Sequence, residues 1–498
     1  MFEKLNPSHF VGPSHSRGHG RPRFFKQSGT TKKSIMKQKN TLGYVIFMAV
    51  VAAIGGILFG YDTAVISGTT SIVKNQFQLT DMMEGWYVGC ALIGSICGVL
   101  VAGSLSDYLG RKLTMLISAA LFSISAIGCA VCGSFDGLVA FRIIGGVGIG
   151  IVSIVSPIYI SEVSPAKIRG TLVSLYQLAV TIGFLLAYLM NWVIDASGSL
   201  SVAGNLWTNM WNCEMWRGML GSETLPALLF FSIIFFIPES PKWLIVNGKI
   251  DKASRVLNKI YTSQAEVQEE IDVTCKSLEG ENKGKWSDLL KPGIIVAVIA
   301  GSAIAILGQF MGVNAVLYYG PKIFSDAGFD NPMFSTVLVG VVNMVTTILA
   351  VFIIDRVGRK QLIYWGVSGM IICLLAIGTY FAWGPALGLG NAFMLTFFLA
   401  YVFCCAISIS AIVFVLLSEM YPNSVRGRAM SIAGFALWIG TYLIGQLTPV
   451  LLGWSQAGTF FIFAACCVPY MLIMWKVVPE TTGKTLEEIE AYWTNRKK

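Results

Sequence analysis

About twelve apolar stretches, separated by short polar segments, dominate the pattern of the chain. Each has roughly the 20 residues that a helix needs to cross the hydrocarbon core of a bilayer. Six predicted spans precede the longest polar segment: Tyr44–Ser67, Tyr87–Leu105, Leu113–Cys132, Leu138–Tyr159, Leu172–Ile194 and Leu220–Ile237. Six follow it: Ile294–Tyr319, Phe334–Ile354, Leu362–Trp383, Phe393–Leu417, Ala429–Leu452 and Phe460–Val478. The pattern predicts an all-α membrane protein in two six-helix halves.

The polar segments divide the chain into five predicted parts. The segment between the halves is charged and has apolar residues at helical spacing, at Ala253, Val256, Leu257 and Ile260. We therefore expect short amphipathic helices that lie against the inner face of the membrane domain. The predicted parts are a disordered basic tail (1–40), an N-terminal bundle (41–238), the helical linker (239–292), a C-terminal bundle (293–478) and a short tail (479–498).

The N-terminal tail is polar, basic and rich in Gly and Ser, a composition typical of disordered segments. It has no apolar run like that of a cleaved signal peptide. All three histidines of the protein lie in it, at His9, His15 and His19. We interpret them as solvated side chains, with metal capture as the alternative. Met36 is a second candidate for the translation start.

Basic residues predict the orientation of the chain in the membrane. They occur in the N-terminal tail, at Arg111 and Lys112, at Lys167 and Arg169, through Lys242–Lys291, at Arg356, Arg359 and Lys360, at Arg426 and Arg428, and after Lys484. The loops between these positions contain almost none. Since cytoplasmic loops are rich in Lys and Arg, both termini are predicted to be cytoplasmic. The net charge of +9 is thus a signal of topology, and no nucleic-acid partner is expected.

Composition excludes several classes of protein. Charged residues make up 13% of the chain, about half the share of a soluble globular protein. Cys129 and Cys132 form a CxxC inside the third predicted span, with no second pair or histidine nearby, so we interpret them as small packing residues instead of zinc ligands. The body of the chain has no histidine and no evident nucleophile–base pair. We therefore expect neither an enzyme nor a cofactor or metal.

Three sequence blocks recur at equivalent places in the two halves. DYLGRK (107–112) matches DRVGRK (355–360), SEVSPAKIRG (161–170) matches SEMYPNSVRG (418–427), and PESP (238–241) matches PETT (479–482). Such matches indicate parallel repeats related by an axis along the membrane normal. Folds of this kind bind substrate near the midplane, between halves that rock about it.

The repeated blocks place acids and bases at the predicted cytoplasmic mouth. We expect salt bridges among them to hold this inner gate shut while the outer side is open. Anchoring of helix ends at the lipid headgroups is an alternative that is compatible with the first role. The predicted gate residues are Asp107, Arg111, Glu162, Arg169, Glu239, Asp355, Arg359, Glu419, Arg426 and Glu480, with Arg217 as a further basic neighbour.

Together with these blocks, five further motifs resemble the sugar porters of the major facilitator superfamily, which include bacterial xylose–proton symporters and animal glucose facilitators. The motifs are GGILFGYDTAVISG (55–68), RIIGGVGIG (142–150), PESPKW (238–243), QFMGVNAVLYYGP (309–321) and PETTGKTLEE (479–488). The resemblance covers about residues 42–490 and implies transport of a sugar by alternating access. RIIGGVGIG lies in an apolar span and does not follow a strand, so close helix packing explains it better than dinucleotide binding.

The resemblance implies a role for the lone acid in GGILFGYDTAVISG. An ionisable side chain near the bilayer centre costs roughly 2.5–3.5 kcal/mol on insertion scales, so Asp62 requires a partner or a function. In the family, this position is the proton-coupling acid, Arg142 matches the arginine that faces it, and Glu223 matches an acid that tunes the step. Protonation of Asp62 would dissolve the pair and shift the balance between helix arrangements. The alternative is a structural ion pair in a uniporter.

The resemblance also implies the sugar-binding residues. Uncharged amides in apolar helices both donate to and accept from hydroxyls, and an aromatic ring stacks on a pyranose face. Hydrogen bonding between helices is the alternative for any single amide. The residues carried over are Gln177, Gln309, Asn314, Asn343, Trp438 and Phe59, with Tyr318 and Tyr319 as the tyrosine pair near the outer gate.

Several positions depart from the family pattern. Gly308 and Phe184 replace glutamines, Phe414 replaces a tryptophan, Ser410-Ala411 replaces Gly-Pro, and Leu437 replaces a Gln or Asn. A site that bonds hydroxyls discriminates strongly between substrates, so the loss of polar groups alters preference or weakens affinity. The resemblance therefore leaves the identity of the sugar open.

The sequence predicts a secondary transporter that imports a monosaccharide, a xylose-, arabinose- or glucose-like pentose or hexose, by proton symport. Its expected partners are the sugar, protons and the lipid bilayer. We expect a monomer in a bacterial inner membrane. A proton-independent uniporter, a non-transporting sugar sensor and a drug–proton exporter are the alternatives.

Overall fold

The computed structural model describes residues 27–197, 210, 212, 214–280, 286–422, 425–481, 488, 489, 492 and 493. The first half contains α1 (Gln27–Phe77), α2 (Asp81–Leu109), α3 (Arg111–Val131), α4 (Phe135–Val163), α5 (Arg169–Ser197), α6 (Met215–Ser222) and α7 (Thr224–Ile233). The linker contains α8 (Pro241–Val246), α9 (Ile250–Ile260) and α10 (Gln264–Gly280). The second half contains α11 (Ile294–Phe310), α12 (Val313–Asp326), α13 (Pro332–Val357), α14 (Arg359–Trp383), α15 (Asn391–Cys405), α16 (Ala411–Met420), α17 (Arg426–Trp454) and α18 (Gln456–Lys476).

Within the described residues, 12 helical segments are long and apolar enough to cross a membrane, which confirms the predicted all-α architecture. Three of these spans are built from two helices each: α6–α7, α11–α12 and α15–α16. The first helix begins at Gln27, so it extends into the tail that the sequence predicts to be disordered. The stretch 27–40 has no proline that would end a helix, and residues 1–26 lie outside the described part of the chain.

Spans six and seven are broken at positions that hydropathy does not detect. Pro226 cannot donate to the carbonyl of Ser222 and its ring crowds that carbonyl, which places the break between α6 and α7 at Glu223. In span seven, Gly312 adopts φ +89°, and a Cβ at this position would lie 2.3 Å from the Phe463 ring. Only glycine fits such a position without strain, so the chain turns there between α11 and α12.

Close packing of α2 against α4 explains the glycines of RIIGGVGIG. A Cβ on Gly146 would lie 2.0 Å from the carbonyl oxygen of Ala91, and a Cβ on Gly150 would lie 2.2 Å from that of Ser95. The glycines therefore bring the two helix backbones into contact, as the sequence predicts.

We expect Gly146→Ala to destabilise the protein by about 1–3 kcal/mol, because the added methyl forces the helices apart in a packed interface. Gly103→Ala is the matched control, since a Cβ on Gly103 of α2 meets nothing within 4 Å. Thermal unfolding of both variants in detergent checks the prediction, and equal midpoints would contradict it.

The spans alternate in direction, so the molecule has two ends. We call the end that carries the linker helices and the C-terminus of α18 the terminal end, and the opposite one the far end. The two halves contact each other at the far end: Tyr188 Oη of α5 donates to the Leu317 carbonyl at 2.9 Å, and Gln446 Nε2 of α17 donates to the Met82 carbonyl at 2.9 Å. The Trp192 and Phe334 rings also meet there, with centroids 5.5 Å apart.

Candidate functional site

An aspartate and an arginine meet in the interior of the N-terminal half. Asp62 lies near the middle of the α1 span and Arg142 lies in the first half of α4, with side-chain exposures of 2% and 3%. Arg142 Nη1 donates to Asp62 Oδ1 at 2.6 Å. Opposite charges at this distance offset each other's cost of burial, whereas the loss of either one strands the other.

A second carboxyl adjoins this pair. Glu223 is buried at the break between α6 and α7, close enough to Asp62 for the two carboxyls to share a hydrogen bond when one is protonated. Tyr61, the neighbour of Asp62, contacts Ser222 Oγ at 2.6 Å and so fixes α1 against the same break. Asp62 Oδ2 and Glu223 Oε1 have no hydrogen-bond partner among the described residues. Two carboxyls and one guanidinium form a group that becomes neutral when it holds one proton.

Three polar side chains form a cluster in the C-terminal half. Gln309 Oε1 accepts hydrogen bonds from Asn314 Nδ2 at 2.6 Å and from Thr441 Oγ1 at 3.2 Å. In a continuous helix, Gln309 and Asn314 would be five residues apart and would not share a face. The turn at Gly312 brings them together. Because the Gln309 oxygen is occupied twice, its amide N–H groups remain as donors for a ligand.

Thr441 is a member of this cluster that the sequence analysis misses. It lies three residues after Trp438 on α17, and residues at that spacing share a helix face. The spacing to Trp438 was thus the available signal. Its single hydroxyl proton is shared between Gln309 Oε1 and the Leu437 carbonyl of its own helix, which lies 2.9 Å away and holds the side chain in place.

Aromatic residues connect the two halves beside these groups. The Phe59 ring of α1 and the Trp438 ring of α17 have centroids 6.1 Å apart. Tyr318 lies four residues after Asn314 on α12 and is within electrostatic range of Arg142 and Asp62. Tyr319 departs from helical geometry (φ −116°, ψ 15°), and its hydroxyl donates to the Gly445 carbonyl at 2.7 Å. Thus α12 carries both a cluster amide and a phenol near the buried ion pair.

Two of the predicted amides lie outside the cluster. Gln177 is exposed on α5 and Asn343 is partly exposed on α13. Within the described residues, neither side chain is hydrogen-bonded to Gln309, Asn314 or Thr441. The structure thus brings together two of the four predicted amides.

Comparisons with known proteins agree with this geometry. The family model for "Sugar (and other) transporter" matches residues 48–493. The chain belongs to this sugar transporter family. It is 38% identical to the arabinose-proton symporter of Bacillus subtilis (strain 168), over 92% of this chain and 96% of the relative. It is 37% identical to the D-xylose-proton symporter of Escherichia coli (strain K12), over 92% of this chain and 97% of the relative.

A solved structure is also similar along its whole length. The inward-open conformation of the xylose transporter XylE from E. coli superposes with a TM-score of 0.78, at 34% identity, covering 90% of this chain and 100% of that one. The major facilitator fold and the sugar-porter resemblance are confirmed, and the chain is a membrane transporter and not an enzyme.

The first set of repeated blocks forms an ion-pair network at the terminal end of the transporter. Arg111 donates through Nε and Nη2 to Glu162 at 3.0 and 3.1 Å, and through Nη1 to Asp107 at 3.1 Å. Ser240 Oγ donates to Glu162 at 2.5 Å. Burial raises the pKa of Glu239, although the backbone N–H groups of Ser240, Lys112 and Arg111 act in the opposite direction.

The second set repeats this arrangement in the other half. Arg359 Nη2 pairs with Glu419 at 3.2 Å, and Thr481 Oγ1 donates to Glu419 at 2.6 Å. Thr481 N–H donates to Glu480 at 3.1 Å, as Ser240 N–H donates to Glu239. The Asp355 side chain lies outside the described residues. These named pairs join elements within one half, so in this conformation they brace each bundle.

Three of the predicted basic gate residues have other contacts. Arg169 and Arg426, at matching places in the repeat, donate to the backbone carbonyls of Ser164 (3.4 Å) and Tyr421 (3.3 Å). The expectation that Arg217 lies at the terminal end is wrong. It lies in the first turn of α6, at the far end of span six, where it pairs with Glu214 at 2.7 Å and donates to the Cys132 carbonyl. Cys132, which the sequence predicts inside the third span, is the C-cap residue of α3, one position beyond the end of the helix.

A charged cluster at the far end is absent from the sequence analysis. It contains Lys74, Asp81, Glu84 and Lys322. The signal available in the sequence is an acid, Glu84, one turn into the apolar helix α2 and a lysine, Lys322, one turn from the end of α12.

Proposed function

We propose that this transporter imports a monosaccharide together with a proton by alternating access. The observation that carries the proposal is the buried Asp62–Arg142 pair with Glu223 beside it, on a helix that also contacts Trp438 through Phe59. The arabinose-proton and D-xylose-proton symporters to which the chain is similar support the same conclusion.

The proton binds where the negative charge is in excess. With both carboxyls ionised, Asp62, Glu223 and Arg142 carry one net negative charge in a buried site, and one proton from outside neutralises them. Protonation of Asp62 weakens its bond to Arg142 and leaves the guanidinium free for other partners. Since Tyr318 of the opposite half is within electrostatic range of this pair, the change reaches α12 directly.

The sugar binds between the halves, against the same helix. The Gln309 amide donates to sugar hydroxyls, Asn314 and Thr441 orient it, and Trp438 packs against the apolar face of the ring. Sugar binding engages the Gln309–Asn314 pair at the start of α12, and protonation changes the field at Tyr318 on the same helix. Both ligands therefore act on α12, and this shared helix is the element that couples their movement. Gln177 and Asn343 complete the site when the halves close around the sugar.

We expect Gln309→Ala to weaken apparent sugar affinity about fivefold, because one net hydrogen bond to a hydroxyl contributes about 1 kcal/mol. Gln268→Ala on the exposed linker helix α10 is the control, since its side chain bonds only Asp272 among the described residues. Concentration dependence of sugar uptake gives the apparent affinity. Equal values for the two variants would remove Gln309 from the sugar site.

We further propose that the terminal end faces the cytoplasm of a bacterial cell and that the inner membrane is the location. The basic loops that the structure describes lie at this end, which supports the orientation. In that orientation the structure is closed outside, consistent with its similarity to an inward-open transporter. The bundles at 41–238 and 293–478 are the two bodies that rock. The charged residues at the terminal end act as the inner gate when the two halves meet there. One chain forms a complete transport pathway, so the protein acts as a monomer.

The test is uptake by purified protein in proteoliposomes, with pH recorded outside and a panel of pentoses, hexoses and polyols. Alkalinisation on sugar addition and accumulation against a gradient are expected for one or more monosaccharides. Equilibration without proton movement would instead identify a uniporter, and binding without transport would identify a sensor. Crosslinking in the membrane tests whether the protein is a monomer.

A further inference from the structure

Four charged residues join the two halves at the far end. Glu84 of α2 is fully buried and accepts three hydrogen bonds. Lys74 of α1 donates to Oε2 at 2.8 Å, and Lys322 of α12 donates to Oε1 and Oε2 at 2.9 Å each. Lys74 also pairs with the partly exposed Asp81 at 2.5 Å. Of these four residues only Lys322 belongs to the C-terminal half, so Glu84–Lys322 is the hydrogen-bonded ion pair of the cluster that joins the two halves, while Asp81 packs beside it against Gly453 of α17.

Close backbone packing surrounds this link. A Cβ on Gly85, next to Glu84, would lie 2.0 Å from the Gln446 carbonyl oxygen of α17, so the two helices touch there. One turn further along α2, Val88 is buried against Gly445. Water is thus excluded on this side of the ion pair as long as the halves are together, and a charge pair shielded from water is much stronger than an exposed one.

We propose that Glu84 and Lys322 are positioning residues that lock the outer mouth of the transporter shut, and that their bond breaks in every cycle when the mouth opens. This inference rests on the proposed function, and on the far end being the outer face. Rocking of the halves separates α2 from α12. A rotamer change of Glu84 or Lys322 cannot bridge the gap that this movement opens. The lock therefore contributes to the closed-outside state and to no other.

The cluster also explains why the lock is reversible. When the halves part, Glu84 keeps Lys74 as a counterion, since both belong to the N-terminal half. Lys322 keeps Asp326, which lies one turn away on α12 and interacts with it electrostatically. Water entering the open mouth solvates the remaining charge. A buried charge left without any partner would make opening prohibitively unfavourable, and this arrangement avoids it.

The experiment measures opening of the outer mouth directly, with no sugar added and no proton gradient. Val88→Cys places a thiol between the halves, and its alkylation by a maleimide in detergent-purified protein requires the mouth to open. Peptide mass spectrometry distinguishes this cysteine from the native ones. Glu84→Gln and Lys322→Gln are each expected to raise the alkylation rate about tenfold, a change of about 1.4 kcal/mol in the two-state equilibrium.

Matched variants separate the lock from general loosening. Asp136→Asn removes an exposed acid at the far end, in the first turn of α4, but leaves the Glu84–Lys322 bond between the halves, so its alkylation rate should stay at the parent value. Lys322→Arg keeps the ion pair with Glu84, so its alkylation rate should also equal that of the parent. The Glu84→Gln/Lys322→Gln double variant leaves neither member stranded, and its rate should match those of the single variants, because both remove one shared interaction.

Two results would overturn the lock. If the Glu84→Gln and Lys322→Gln variants are alkylated at the parent rate, the pair does not hold the outer mouth closed. An equal rise in Asp136→Asn would show general loosening of the structure in place of loss of the lock. Failure of the proposed function appears elsewhere, as absence of proton-driven uptake in the unmodified protein, and leaves the alkylation result intact.

Discussion

Asp62→Asn is expected to abolish sugar accumulation while leaving exchange of sugar across the membrane partly intact. Asparagine is neutral and nearly isosteric, so it imitates the protonated acid and permits the loaded carrier to change sides. It cannot release a proton inside, and the unloaded carrier cannot return with Asp62 and Arg142 paired. Net uphill transport therefore stops. Exchange continues, because it requires only the movement of loaded carriers.

The size of this effect follows from the driving force that is lost. One charge crossing a membrane gains about 2.3 kcal/mol per 100 mV, which at 1.4 kcal/mol per tenfold supports a sugar gradient of about 40-fold. In proteoliposomes with an imposed potential, the variant should reach a ratio of one, against a gradient approaching that value for the parent. Counterflow of labelled sugar measures exchange in the same preparation.

Asp136→Asn serves as the control for this prediction. Asp136 is an exposed acid in the first turn of α4, far from the ion pair, and its replacement removes the same charge without touching the buried site. Accumulation should be unchanged in this variant. Undiminished uphill uptake by Asp62→Asn would refute the coupling role of the acid, although the transporter assignment would stand.

Arg142→Gln is expected to cause the largest loss of stability among single substitutions at the site. It leaves Asp62 and Glu223 buried without their cation, and removal of one partner from a buried pair costs about 3–5 kcal/mol. The midpoint of thermal unfolding in detergent should fall accordingly, and transport should be lost.

Two further variants give this prediction its controls. Asp62→Asn/Arg142→Gln removes the charges of both bonded partners but leaves Glu223 buried, so it should recover part of the stability lost in Arg142→Gln while remaining unable to accumulate sugar. Arg111→Gln breaks the Glu162 pair at the terminal end, where Arg111 is 12% exposed and solvent can take over part of its role. Its destabilisation should be smaller. Equal midpoints for Arg142→Gln and Arg111→Gln would show that burial of the Asp62 pair has no special energetic weight.

The sequence predicts the individual spans well but not the interruptions within them. The apolar cores of α2–α4 follow from hydropathy because a run of about 20 apolar residues is a local property, whereas the polar ends of α2 and α4 extend beyond the predicted spans. The breaks at Glu223 and Gly312 depend on a single proline and a single glycine, which change the average hydropathy very little. These breaks place Glu223 beside Asp62 and Asn314 beside Gln309, so the site depends on them.

The candidate site was predicted in part, and the reason differs between residues. Gln309, Asn314, Asp62 and Arg142 were identified through the family motifs. Thr441 matches no motif and is recognised only by its bond to Gln309. The assignment of Arg217 to the terminal end is wrong although the sequence carries the signal against it, since Arg217 directly follows the long loop between the fifth and sixth spans. Its bonds to Glu214 and the Cys132 carbonyl are recognised only in the structure.

The sequence by itself determined the number of spans, the two-fold repeat and the sugar transporter family. Hydropathy, loop charge and repeated motifs are all encoded within short segments, and each can be recognised without knowing what lies next to it. Only the tertiary structure decided which charges meet. Arg142 and Asp62 are separated by 80 positions, and Lys322 and Glu84 by 238. Bonds over such separations exist only because helices from distant parts of the chain pack side by side at matching depth, and no local pattern records that alignment.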